Sequence, residues 1–132
     1  MERYFNGCSI ENFELSGKVA VITDGNTPFG QNYAIALARA GVKLIIHTND
    51  TKWDQIRRLI EKEGQEVIFV KGDLNNEQDR KRLIDIAIKI YGKLDILINN
   101  IEIIINYPLF IHDNEYYNEV IDKKLIYTYL LL

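Results

Sequence analysis

A single cysteine, Cys8, leaves no partner for an intramolecular disulfide, so a reducing compartment, the cytoplasm, is the expected setting. Basic residues are too few for a nucleic-acid surface. The 16 Lys and Arg stand against 19 Asp and Glu, giving a net charge of -3, and no basic run carries interleaved aromatics. No apolar run is long enough to cross a bilayer: residues 103–105 and 125–132 fall well short of the roughly 20 residues a spanning helix needs. The start, Met1-Glu2-Arg3-Tyr4, lacks a basic region followed by an apolar signal core. Neither His47 nor His112 has Cys or acidic partners at a metal-binding spacing, so no metal site is expected and both read as surface or strand-end histidines. Cys8 has no activating neighbour for thiol chemistry. What is present is a globular composition, 47% hydrophobic and 27% charged, in 132 residues that suffice for one core and not for two ordinary domains.

With only two prolines, Pro28 and Pro108, the chain is free to form regular elements along most of its length. Residues 1–16 read as an arm, and residues 17–132 as the domain. Residues 18–23 form an unbroken apolar run of the kind a doubly covered strand shows. A helix is predicted from Gln31 to Arg39, with Gly41 just past its end. A strand follows at 42–47. The next helix, capped by Asn49 or Asp50, runs to Glu63 with Trp53, Ile56, Leu59 and Ile60 at helical spacing, and Gly64 stops it. A third strand occupies 66–71. Asn75 or Asn76 caps a third helix whose Leu83, Ile84, Ala87, Ile90 and Tyr91 share a face, and after Gly92 a fourth strand covers 94–99. This alternation implies right-handed crossovers and a parallel sheet. Beyond Asn100, Ile101–Ile105 could prolong the strand and 114–132 reads as a helix with Tyr117, Val120, Ile121, Leu125 and Tyr129 in register.

Glycine is scarce where this architecture uses it most. Between the first strand and the first helix lies Thr23-Asp24-Gly25-Asn26-Thr27-Pro28-Phe29-Gly30. A dinucleotide-binding turn there would carry glycine at 24, 28 and 30, and of those three only Gly30 is glycine. The segment 13–23, with Gly30, Ala34, Leu37, Ala38 and Gly41, then Gly72-Asp73-Leu74, then Gly92 through Asn100, together resemble the short-chain dehydrogenase/reductase family. The resemblance covers nearly the whole chain. Through His47-Thr48-Asn49-Asp50-Thr51-Lys52-Trp53-Asp54 it is closest to the 2-deoxy-D-gluconate 3-dehydrogenases and gluconate 5-dehydrogenases.

That resemblance implies a Rossmann-type three-layer α/β fold with a truncated parallel sheet in the order 3-2-1-4. It implies cofactor contacts at Thr23, Gly25, Asn26, Gly30, Asp73, Leu74, Asn99 and Asn100, with Asp73 on the adenine and Leu74 packed beside it. Asp50 is proposed in place of the carboxylate that takes the ribose hydroxyls; the aligned position is Thr48. NAD is preferred over NADP because no arginine stands ready for a 2′-phosphate, and NADP stays open. Against this, Asp24 brings a negative charge to the pyrophosphate, Pro28 removes an amide donor, and Glu102 replaces a glycine in Asn99-Asn100-Ile101-Glu102. NAD binding is therefore expected to be weak or lost.

Lys124 stands where the family places a catalytic asparagine, and lysine cannot donate and accept as one amide does. The family's catalytic serine and Tyr-x-x-x-Lys pair would fall beyond residue 132, so no catalytic residue is assigned. The expectation is an oxidoreductase-family fragment, related to sugar-acid dehydrogenases and inactive alone. The competing expectation is a non-catalytic structural or interaction module. Tyr107, Tyr116 and Tyr117 suit either a carbohydrate cleft or packing on the sheet. The apolar side chains of 125–132 are expected to promote self-association, with neither nucleic acid nor membrane as a partner.

Overall fold

The computed structural model describes residues 15–100, together with Glu115, Asn118 and Ile121, which are helical. The arm up to residue 14, the prolonged strand at 101–105, Glu102, His112, Lys124, the tyrosines at 107, 116 and 117, and the apolar segment 125–132 lie outside the described residues.

Within residues 15–100, four strands alternate with three helices: β1 (Val19–Ile22), α1 (Pro28–Arg39), β2 (Lys43–Thr48), α2 (Asp54–Lys62), β3 (Val67–Lys71), α3 (Glu77–Tyr91) and β4 (Ile96–Ile98). The sheet order is β3-β2-β1-β4 and every pairing is parallel. This is the three-layer Rossmann arrangement the alternation implies. Side-chain parity divides the core into two. Ala20, Ile22, Leu44 and Ile46 point to one face and pack with Ala34 and Ala38 of α1 and Ile56 and Ile60 of α2. Val19, Val21 and Ile45 point to the other and meet Leu83 and Ala87 of α3. Coverage on both faces is why β1 reads as a continuous apolar run. Each large side chain so buried contributes about 1.5–3 kcal/mol.

Helix starts depart from the sequence reading in two places. The first helix begins one turn early, at Pro28, because Thr27 caps it and proline needs no amide partner at the first helical position. The second is not capped by Asn49 or Asp50. It begins at Asp54 after Trp53, without a side-chain cap bond, since the Asp50 carboxylate is engaged in its own turn with the Lys52 amide at 2.9 Å. Trp53 instead stacks on Phe69 of β3, centroids 5.1 Å apart. Asn76 does cap α3, accepting from the Gln78 amide. Ile90, assigned to the inner face of that helix, is 53% exposed, while Arg80 is buried there. Gly41, Gly64 and Gly92 adopt positive φ at the helix ends, the conformation that stops a helix most cheaply with glycine.

The short β4 is anchored at its start. Asp95 Oδ2 accepts from the Val19 amide at 2.9 Å and pairs with Lys93 at 3.0 Å, and Lys18 lies 3.7 Å from Oδ1. The Val19 bond first, then Lys93, holds this carboxyl below its ordinary range. A depressed folded pKa contributes stability that is present above the unfolded value and lost as pH falls through the folded one. Asp95→Asn is thus expected to lower the urea midpoint at neutral pH. The gap to wild type should close as acid protonates Asp95. A constant gap at every pH would contradict the ionic role.

Candidate nucleotide-binding site

The sheet order makes a switch point between β1 and β4: the chain leaves β1 towards one face and reaches β4 from the other. Ligands of open α/β sheets bind in the crevice beyond the strand ends at such a point. Here the crevice is bordered by the loop of residues 23–27 and by Asn99 and Asn100.

The loop is held down by close packing. Gly25 donates its amide to His47 O at 2.9 Å, and a Cβ on Gly25 would overlap Ile46 Cγ2. Gly30, in the first turn of α1, lies against Asp24 O and the Gly25 Cα: a Cβ there would sit 2.6 Å from each. Asp24, with φ 45°, is the one non-glycine residue at positive φ among the described residues. Asp tolerates this left-handed region better than most residues, and so the turn survives without its glycine.

Asp24 O accepts from Thr27 N at 3.2 Å, Thr27 Oγ1 at 2.9 Å and Asn100 Nδ2 at 3.1 Å. Thr27 Oγ1 accepts in turn from the Gly30 amide at 3.2 Å and from Asn100 Nδ2 at 2.8 Å. The helix N-terminus, where a phosphate would collect amide donors, is thus capped internally at Gly30 and lacks a donor at Pro28. Asn100 also donates its backbone amide to Thr23 Oγ1 at 2.8 Å, while the fully buried Thr23 bonds Ile98 O. Asn100→Ala removes both amide-hydrogen bonds that tie the crevice shut and is expected to cost about 1–3 kcal/mol. Chemical denaturation would show it. An unchanged midpoint would mean that water replaces the amide without loss.

Asp50 reaches the same loop. Its Oδ2 accepts from Asn26 Nδ2 at 3.1 Å and its Oδ1 from Thr48 Oγ1 at 3.3 Å, while Gln31 Nε2 donates to Asn26 O at 2.8 Å. Asp73 is exposed, its Oδ1 accepting from the Asn75 amide at 2.9 Å and its own amide donating to Asp79 at 2.8 Å. Leu74 is buried in the core on the α3 side, and its carbonyl accepts from buried Arg80 at 2.6 Å. Thr23, Gly25, Asn26, Gly30, Asp50 and Asn100 are therefore joined by hydrogen bonds and packing around one crevice. Asn99 is half-buried beside them, and Asp73 and Leu74 stand at the end of β3.

Three residues that the sequence reading passed over belong to this network. Thr27 had a legible signal, a capping residue directly before proline. Gln31 and His47 had none, because their partners are set by the turn and by strand neighbours. His47, read as a surface or strand-end histidine, ends up 2% exposed. Among the described residues no three His, Cys, Asp or Glu side chains could hold a metal ion, and no helix is long and apolar enough to cross a membrane.

Residues 18–127 match the family model for short chain dehydrogenases. The chain belongs to the short-chain dehydrogenase family. It is 36% identical over 95 residues to the uncharacterized oxidoreductase YgcW of Escherichia coli, a match spanning 72% of this chain and 36% of that protein. An uncharacterized oxidoreductase of Thermotoga maritima is 32% identical over 117 residues, 88% of this chain and 46% of its own length. The chain thus spans less than half the length of each of these relatives. Among solved structures, a hydroxysteroid dehydrogenase from Escherichia coli superposes with a TM-score of 0.84 at 26% identity, over 93% of this chain and 52% of that one. A short-chain dehydrogenase from Oenococcus oeni gives 0.76 at 26% identity, over 89% and 54%.

Proposed function

We propose that these residues form the dinucleotide-binding half of an NAD(P)-dependent oxidoreductase, with a cofactor site weakened at the pyrophosphate. The observation that carries the reading is the loop itself. Gly25 and Gly30 keep the close backbone approach such a site requires, while Asp24, Pro28 and the Thr27 cap oppose a phosphate at the start of α1. Thr23, Gly25, Asn26, Gly30, Asp50, Asp73, Leu74, Asn99 and Asn100 are the residues we assign to the cofactor. The Asp50 carboxylate beside the loop suits ribose hydroxyls and repels a 2′-phosphate, which favours NAD over NADP.

The substrate class we propose is a sugar acid, supported by the resemblance of 47–54 to the gluconate and 2-deoxygluconate dehydrogenases. These 132 residues alone are expected to transfer no hydride. None of their tyrosines is followed by a lysine four positions later, and Lys124 replaces the relay asparagine. Incubating the purified chain with NAD and gluconate or 2-deoxygluconate, and following NADH absorbance, tests this. Turnover at an ordinary dehydrogenase rate would refute it.

One observation favours a second reading, a non-catalytic interaction module. Phe29 and Tyr33, one turn apart on α1, are 61% and 42% exposed and share a face. Sedimentation across a dilution series would show self-association that Phe29→Lys and Tyr33→Lys weaken. A monomer at all concentrations would remove this reading.

A further inference from the structure

His47 is the penultimate residue of β2, and its buried ring lies between the loops after β1 and β3. The Asp24 amide donates to Nδ1 at 3.2 Å, and Nε2 lies 3.0 Å from Gly72 O at the end of β3. A carbonyl only accepts, so Nε2 carries the hydrogen and Nδ1 offers its lone pair. Both contacts are met at once only by the neutral Nε2–H tautomer. The Asp24 carboxylate is also close, with Oδ1 3.5 Å from Nδ1. One ring thus spans the loops after β1 and β3 and holds the strained Asp24 turn.

We infer that His47 is a pH-sensitive positioning residue of the cofactor loop. Neutral, it fixes the Asp24 turn through the backbone amide. Protonated, it trades that bond for an ion pair with the Asp24 carboxylate. The exchange follows from proton count. A protonated ring has a hydrogen on each nitrogen, so Nε2–H keeps Gly72 O, while Nδ1–H can no longer accept from the Asp24 amide and faces Oδ1 instead. Protonation therefore does two things to the loop. It releases an amide beside the crevice and neutralises the carboxylate that opposes a phosphate there.

The other charged groups near the ring lie on the three loops that follow β1, β2 and β3 and on α3. On the β1–α1 loop there is only Asp24. After β2, Asp50 is engaged by Asn26, Thr48 and Lys52. On the β3 side, Lys71 and Asp73 flank Gly72. A Cβ on Gly72 would lie 3.1 Å from the Asp79 carboxyl carbon, and Asp79 is paired with Arg82 at 3.3 Å. Arg80, buried on α3, bonds Leu74 O.

The inference rests on the proposed cofactor site only for the ligand that feels the switch. NMR of the isotope-labelled chain tests it without any ligand. The His47 ring is expected to show the Nε2–H tautomer at pH 8, and the Asp24 amide resonance is expected to move with the same midpoint as the ring. An Nδ1–H tautomer, or an Asp24 amide that ignores the ring's titration, would overturn the inference. A His47→Gln variant should abolish the amide transition. If that variant fails to fold, Asp24→Asn serves, keeping the turn and removing the carboxylate. In it the ring should titrate at lower pH than in wild type, and an unmoved midpoint would overturn the ion pair. NAD titration then separates the two readings. Affinity several-fold higher at pH 5.5 than at pH 8, lost in Asp24→Asn, supports the switch acting on a phosphate. No NAD binding at either pH, with the NMR transition intact, refutes the cofactor site and leaves the switch standing.

Discussion

Gly30→Ala is expected to cost about 2–3 kcal/mol of folding stability, although alanine is the better helix former. At an ordinary exposed helical position the same change would gain about 1 kcal/mol. Here the added carbon would sit 2.6 Å from both Asp24 O and Gly25 Cα, and 3.0 Å from Asn100 Nδ2. Two of those three atoms are backbone. Neither can rotate away, and the loop that bears them is itself held by His47 O and Ile46 underneath. The strain must therefore lift the loop or shift α1, which breaks the Thr27 cap. Thermal unfolding should show a fall in Tm of roughly 10 °C for a domain of this size. Gly64→Ala is the control. Nothing lies within 4 Å of its added carbon, so only the positive-φ penalty of about 1–2 kcal/mol applies. Equal losses at the two positions would show that Gly30 is not a packing glycine.

Replacing Asp24 and Pro28 together by glycine is expected to strengthen NAD binding by far more than either change alone. Asp24→Gly removes a charge that repels the pyrophosphate and relieves a left-handed backbone at φ 45°. Pro28→Gly restores an amide at the first helical position, where a phosphate oxygen can accept it. A charge-assisted bond of this kind is worth roughly 1.5–3 kcal/mol, about tenfold to a hundredfold in affinity. The two changes border one phosphate position, so their effects should couple rather than add. Calorimetric titration of wild type, both single variants and the double decides it. Identical affinities in all four would discard the account of the loop. Losing the preorganised proline at the start of α1 costs some helix stability, so thermal unfolding should accompany each titration.

Much of this could be read from the chain alone, and for local reasons. Strand and helix order follow from apolar periodicity and from glycines at 41, 64 and 92, each of which takes the positive φ a helix end favours. Parallel pairing follows from alternation and the handedness of crossovers, and the order β3-β2-β1-β4 from the family resemblance. The gathering of Thr23, Gly25, Asn26, Gly30 and Asn100 at one crevice is what the family resemblance of those motifs implies. What the chain alone left undecided depends on atoms far apart in sequence. Asp50 reads as a helix cap or a ribose partner, and only Asn26, in the loop after the neighbouring strand β1, shows where its carboxylate goes. Ile90 fits the inner stripe of α3 by spacing. The core-facing side of that turn is taken by Ala87 and Tyr91, however, and Ile90 stays exposed. The role of Gly25 rests on Ile46, and that of His47 on an amide 23 residues before it and a carbonyl 25 residues after it. Periodicity records which face a residue takes within its own element. Which groups meet across strands is set by the order of the sheet, so the buried histidine and the closed phosphate loop were decided only by the tertiary structure.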